Sequence, residues 1–143
     1  MAGTKPFNWP NRNLSFGRHG QVWRSIMTDS RLYPRYARPR LLEALADTPV
    51  VLLHGPRQSG KTTLAQMVGD AGGYAYVTFD DDVQLAAALS DPVGFVADLP
   101  DKTVLDEVQR APGLFTAIKT AVDRRRIPGR FILPGSANVL LVP

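Results

Sequence analysis

Four apolar residues, Val50-Val51-Leu52-Leu53, lead through His54 into Gly55-Pro56-Arg57-Gln58-Ser59-Gly60-Lys61-Thr62, and a helical pattern follows at once. No other stretch constrains the fold as strongly, because a strand must pass the chain to a helix through a tight glycine-rich bend. Glycines let successive N–H groups converge on one concavity. The unpaired N–H groups and the dipole of the helix face the same point. Lys61 adds a mobile positive charge suited to β and γ phosphates, and the Thr62 hydroxyl suits a Mg²⁺ ligand. The run Gly55, Pro56, Arg57, Gln58, Ser59, Gly60, Lys61, Thr62 and Thr63 is therefore the candidate nucleotide-binding segment. Arg57 is a candidate phosphate-side contact, whereas Gln58 and Ser59 mainly supply backbone. Average composition produces such a pattern by chance roughly once in a few hundred chains of this length. The ligand class it implies is a nucleoside triphosphate with Mg²⁺.

At 143 residues the chain has the length of one domain, and 44% apolar residues suffice for one core. No stretch reaches the length of a membrane-spanning helix, and residues 1–27 lack the continuous apolar segment of a secretion signal. The absence of Cys excludes disulfides and argues against a zinc site. These features fit a cytoplasmic protein with no membrane partner. The net charge of +4 is unevenly distributed. Residues 1–40 carry eight Lys or Arg against Asp29 alone, whereas the rest carries nine basic and twelve acidic residues.

Residues 1–27 show no helical or alternating apolar pattern and are rich in Asn, Gly, Pro and Arg, with Phe7, Trp9, Phe16 and Trp23 interspersed. They are expected to form a disordered basic extension, with the folded domain at 28–143. Downstream, apolar spacing predicts a short helix over 39–46, a strand over 50–54 and a helix over 62–71. A strand over 74–79 and a helix over 83–89 come next. Asp91 and Pro92 then cap and open another short helix. A strand over 102–105, an amphipathic helix over 112–125 and a strand over 130–133 complete the pattern. Strands alternating with helices imply right-handed crossovers and a mostly parallel sheet covered on both faces. Ligands in such sheets bind at the carboxyl ends of the strands.

The strand ending Val104-Leu105-Asp106-Glu107 supplies a Walker-B-type element. A buried strand would hold Asp106 near Mg²⁺ or its water ligands, and Glu107 would orient and activate the attacking water. An adjacent Asp-Glu pair assigns the chain to the additional-strand type of P-loop NTPase, a three-layer α/β sandwich. In that type the strand bearing a polar sensor lies between the two motif strands. The sensor candidates are Ser136 and Asn138. Glu107, Lys61 and Ser136 are thus the candidate catalytic residues, with Thr62 and Asp106 as metal ligands. Asp80 is a candidate supporting polar group or an ordinary cap.

These residues, together with Tyr36-Ala37-Arg38, Phe79-Asp80-Asp81, Asp91-Pro92, Gln109-Arg110-Ala111-Pro112 and Pro128-Gly129-Arg130, resemble a known family. It comprises bacterial and archaeal ATPases with an AAA-type core followed by a C-terminal domain of unknown function. The resemblance covers roughly residues 30–143 and implies ATP binding with Mg²⁺, and ATP hydrolysis in the intact family member. It also implies a homo-oligomer or partner protein, since such sites are usually completed by an arginine from a neighbour or lid. Arg124, Arg125, Arg126 and Arg130 are available for that role. Two departures stand out. The family usually has Thr where this chain has Pro134, a residue poorly tolerated inside a central strand. The chain also ends at Pro143, before the fifth strand, helical lid and C-terminal domain of the family. A core incomplete at its C-terminus, with an open sheet edge beside the phosphate-loop strand, is the resulting expectation.

Two other functions fit the same residues. A nucleotide-dependent switch or inactive fragment would bind without turnover. A nucleic-acid binder would use the basic, aromatic-bearing N-terminal segment.

Overall fold

The computed structural model describes residues 23–27, 37–55 and 60–136. The elements run β1 (Trp23–Met27), α1 (Ala37–Asp47), β2 (Val50–Gly55), α2 (Lys61–Gly72), β3 (Ala75–Thr78), α3 (Asp82–Ser90), α4 (Pro92–Ala97), β4 (Thr103–Asp106), a 3-10 turn (Val108–Arg110), α5 (Gly113–Arg124) and β5 (Phe131–Ser136). Five strands form one sheet in the order β1-β2-β5-β4-β3, and every pairing is parallel. β5 therefore lies between β2, which precedes the glycine-rich bend, and β4, which bears Asp106, as the Asp-Glu pair predicts.

Side chains alternate across the sheet and build two cores. On one face Val51, Leu53, Val104 and Ile132 pack with Leu41 and Ala44 of α1 and Leu64, Ala65 and Val68 of α2. On the other, Val50, Leu52, Leu105, Phe131 and Leu133 pack with Ala88, Val96, Leu114, Phe115, Ile118 and Val122 of α3, α4 and α5. The result is the expected three-layer sandwich. Continuous apolar runs such as Val50–Leu53 are what a parallel strand covered on both faces requires. Asp91 caps α4 by accepting from the Gly94 N–H at 3.0 Å, with Pro92 at the first position.

Two expectations need correction. Trp23–Met27 is part of the sheet rather than of an extension. It pairs with β2 from Trp23↔Val50 to Met27↔His54 and covers the edge expected to be open. Trp23 enters one core and Ile26 the other, and the Trp23 ring lies 6.1 Å from that of Phe115. Residues 1–22 and 28–36 lie outside the described residues.

The second correction concerns Pro134, which sits inside β5 rather than at its end. Its carbonyl accepts the Glu107 N–H at 3.1 Å, so the N–H it lacks also faces β4. The β4–β5 register accordingly stops at Val104↔Ile132, whereas β2–β5 pairing continues to Gly55↔Ser136. One missing donor opens the sheet on the side where Asp106 and Glu107 leave it.

Candidate functional site

β2, which leads into the glycine-rich bend, is buried along its whole length. Residues Pro56, Arg57, Gln58 and Ser59 lie outside the described residues. The chain re-enters at Gly60, which adopts a left-handed conformation (φ 85°, ψ 7°) immediately before α2. Glycine takes this conformation without the steric cost borne by other residues. The Leu64 N–H donates to the Gly60 carbonyl at 2.9 Å, closing the first turn. A cleft of about 290 Å³ over this turn is lined by Gly60, Lys61, Thr62 and Thr63. Lys61 is 6% exposed, a rare degree of burial for a lysine.

α2 packs on the face of β4 that carries Asp106. The Thr62 hydroxyl donates to Asp106 Oδ1 at 3.4 Å. Asp106 is 5% exposed. Burial pushes its carboxyl above the ordinary carboxylate range, opposed by the Tyr76 hydrogen bond and reinforced by the neighbouring charges of Glu107 and Asp80. A cation beside this group would favour its charged form. Its other oxygen, Oδ2, accepts the Tyr76 hydroxyl at 2.5 Å.

Glu107 follows directly at φ 58°, ψ 40°, and is the one non-glycine residue with positive φ among the described residues. That conformation costs roughly 1–2 kcal/mol for an L-residue and concentrates at functional positions. The Glu107 N–H is anchored on Pro134, and Gln109 Nε2 donates to Glu107 Oε1 at 2.5 Å. Arg110 ties the same turn to the end of β3, donating to the Phe79 carbonyl at 3.0 Å and pairing with Asp80 at 3.3 Å. Asp80 is thus an ion-pair partner, and Asp81 caps α3 by accepting from Val83 N–H at 2.9 Å. Gly55 and Ser136 are paired across β2 and β5 at the same end of the sheet. The Ser136 side chain and Asn138 lie outside the described residues.

The structure therefore brings Lys61, Thr62, Asp106 and Glu107 to the carboxyl end of the sheet. The basic cluster at the end of α5 goes elsewhere. The α5–β5 connection lies at the amino ends of the strands. There Arg125 pairs with Asp101 at 3.1 Å, and buried Arg130 donates to the carbonyls of Ala121 and Arg125 at 3.0 and 3.1 Å. Of the candidate arginines, these two are tied into the scaffold of their own chain.

Sequence reasoning missed Tyr76. Period-2 alternation places Tyr76 and Thr78 on one face of β3, but only the register, Tyr76↔Val104 and Thr78↔Asp106, brings the ring beside Asp106. That register joins residues far apart in sequence, and no local signal encodes it.

Among the described residues no helix is long and apolar enough to cross a membrane. No solved structure matches the chain. Two mycobacterial proteins are similar to it, Uncharacterized protein Rv2008c of Mycobacterium tuberculosis and Uncharacterized protein Mb2031c of Mycobacterium bovis. Each is 44% identical over 109 residues, or 76% of this chain. The match spans about a quarter (24%) of each relative's length. The AAA domain family matches residues 47–143, from the end of α1 through the glycine-rich segment 55–62, Asp106-Glu107 and β5. With that match spanning both halves of the site and a parallel sheet of this strand order beneath it, the chain belongs to the AAA domain family of nucleotide-binding, ATPase-type proteins.

Proposed function

We propose that the carboxyl end of the sheet binds ATP with Mg²⁺, and that in the intact family protein the same site hydrolyses it. The observation that carries this reading is the meeting of Thr62 and Asp106 at 3.4 Å beside a buried Lys61. One hydroxyl and one carboxylate suit Mg²⁺, which is commonly held by one or two protein oxygens together with phosphates. Bound there, the ion would neutralise charge on the β and γ phosphates. Backbone N–H groups of Gly55–Thr63 would cradle the phosphates, and Lys61 would contact their terminal oxygens. Asp106 would hold the metal side of the site. Glu107 would accept a proton from the attacking water, and Ser136 would hydrogen-bond the γ-phosphate.

Turnover by this chain alone should be weak. Arg125 and Arg130 are engaged at the opposite end of the sheet, which favours a finger arginine supplied by a neighbouring copy or partner protein. Such a residue is worth about 10³–10⁵ in rate in other phosphoryl-transfer systems.

Two variants test the reading. Lys61→Ala should weaken binding of a fluorescent ATP analogue about 10- to 100-fold, the loss of one charge-assisted contact. Glu107→Gln should leave that binding intact and lower phosphate release about 100-fold or more. Undiminished binding in Lys61→Ala would remove the phosphate-binding assignment. Binding by the unaltered chain with no phosphate release, and no effect of Glu107→Gln, would leave a nucleotide-dependent switch.

A further inference from the structure

We propose that Tyr76 is a positioning residue for Asp106. Its hydroxyl pins one carboxylate oxygen so that the other stays turned toward Thr62, where Mg²⁺ would be shared with nucleotide. The proposal rests on the Mg²⁺–nucleotide reading of the site and adds a residue that neither sequence motif contains.

Tyr76 is poorly explained as a core residue. It lies on β3, the strand at one edge of the sheet, and is 40% exposed. Its hydroxyl has a defined place. It donates to Asp106 Oδ2 at 2.5 Å, within the range of a strong charge-assisted bond. Gln66 on α2 lines the same small cleft as Tyr76. The hydroxyl thus ties β3 to the end of β4.

The two oxygens of Asp106 are held very differently. Oδ2 is gripped by Tyr76, whereas Oδ1 meets Thr62 at 3.4 Å, near the limit of hydrogen bonding. The terminal torsion of an aspartate is soft, so a carboxylate without such a grip turns readily. Tyr76 removes that freedom and leaves the loosely held oxygen as the exchangeable one. Groups that orient a ligating carboxylate commonly contribute 10- to 100-fold to metal affinity. If the hydroxyl instead competed with the ion for Asp106, its removal would strengthen metal binding, so the sign of the effect separates the two roles.

The test uses the full chain and a fluorescent ATP analogue, titrated first in EDTA and then with increasing Mg²⁺. Electron paramagnetic resonance of Mn²⁺ gives a second readout of the ternary complex. Tyr76→Phe keeps the ring and removes only the hydroxyl. It should bind the analogue in EDTA like the unaltered chain, with a Mg²⁺ midpoint roughly tenfold higher. Tyr76→Leu also removes the hydroxyl and should give a similar rise. An unchanged or lowered midpoint in Tyr76→Phe overturns the proposal. Should Tyr76→Phe lose its cooperative melting transition, Tyr76→Leu decides, and an unchanged midpoint there overturns it. Failure of the unaltered chain to bind the analogue at all overturns the reading of the site and this role together.

Discussion

The two ends of the parallel sheet differ in what most of their polar side chains do. At the amino ends of the strands, side chains complete the backbone. Arg130 donates to two carbonyls, the Tyr74 hydroxyl to the Gly129 carbonyl, and Lys102 to the Gly72 carbonyl at 3.4 Å. Even Gly129 belongs to this scheme. At φ 70° it sits so close to the Leu45 carbonyl that an added Cβ would lie 2.9 Å from it. At the carboxyl ends a lysine and an aspartate are buried, a glutamate holds a left-handed backbone, and a carboxylate oxygen is loosely held. Polar side chains at the amino end serve the backbone, and those at the carboxyl end are the ones proposed to meet a ligand. A parallel sheet separates the two tasks because every strand points the same way.

That division can be attacked from the stabilising end first. Arg130→Ala should cost about 2–4 kcal/mol, because it removes two charge-assisted hydrogen bonds, to the carbonyls of Ala121 and Arg125 at the end of α5. Urea denaturation would measure the loss, and affinity for the ATP analogue should be unchanged. A variant that loses affinity while keeping its stability would show that the two ends are not separate.

Acid should strike the carboxyl end. His54, fully enclosed in β2 just before the glycine-rich bend, has its pKa lowered by burial from 6.5 to about 4. The unfolded chain therefore takes up a proton below pH 6.5 that the folded chain refuses. Stability from this group is fully present above pH 6.5, is lost as pH falls toward 4, and changes no further below that. Between pH 7.5 and 4.5 the loss should be about 2–3 kcal/mol. Urea midpoints at the two pH values would measure it. A His54→Gln variant lacking this share of the pH dependence would assign it to His54, whereas an unchanged profile would exclude that residue as the cause.

The smallest effect should have the most telling sign. Glu107→Gly relieves the left-handed strain and should stabilise the fold by about 1 kcal/mol. It also removes the carboxylate proposed to act on water, so phosphate release should fall while thermal stability rises. Destabilisation would mean that the hydrogen bond from Gln109 outweighs the strain, and that Glu107 serves the scaffold.

Much of this molecule was legible residue by residue. The run Val50–Leu53, the glycine bend and Asp106-Glu107 announce a parallel sheet with its polar work at one end. The capping pair Asp91-Pro92 marks a helix start to the residue. Legibility failed where burial was not periodic. β1 reads Trp-Arg-Ser-Ile-Met, with one well-buried residue committed to each face, so no alternating stripe marks it as a strand. Pro134 was misjudged for a related reason. Proline is disfavoured in a central strand, but its effect depends on which neighbour the missing N–H faces, and that is a matter of register.

Local chemistry along the chain determined which groups are available: a lysine and a threonine at a helix start, two acids at a strand end, and glycine where the backbone bends to the left. These choices rest on backbone sterics and on hydrogen bonding between near neighbours, which adjacent residues encode. Only the tertiary structure decided that Tyr76 would grip Asp106, that β1 would close the sheet edge, and that Arg125 and Arg130 would be bound into the far end. Those outcomes depend on strand order and register, which packing across both faces of the sheet selects and no short stretch of sequence contains.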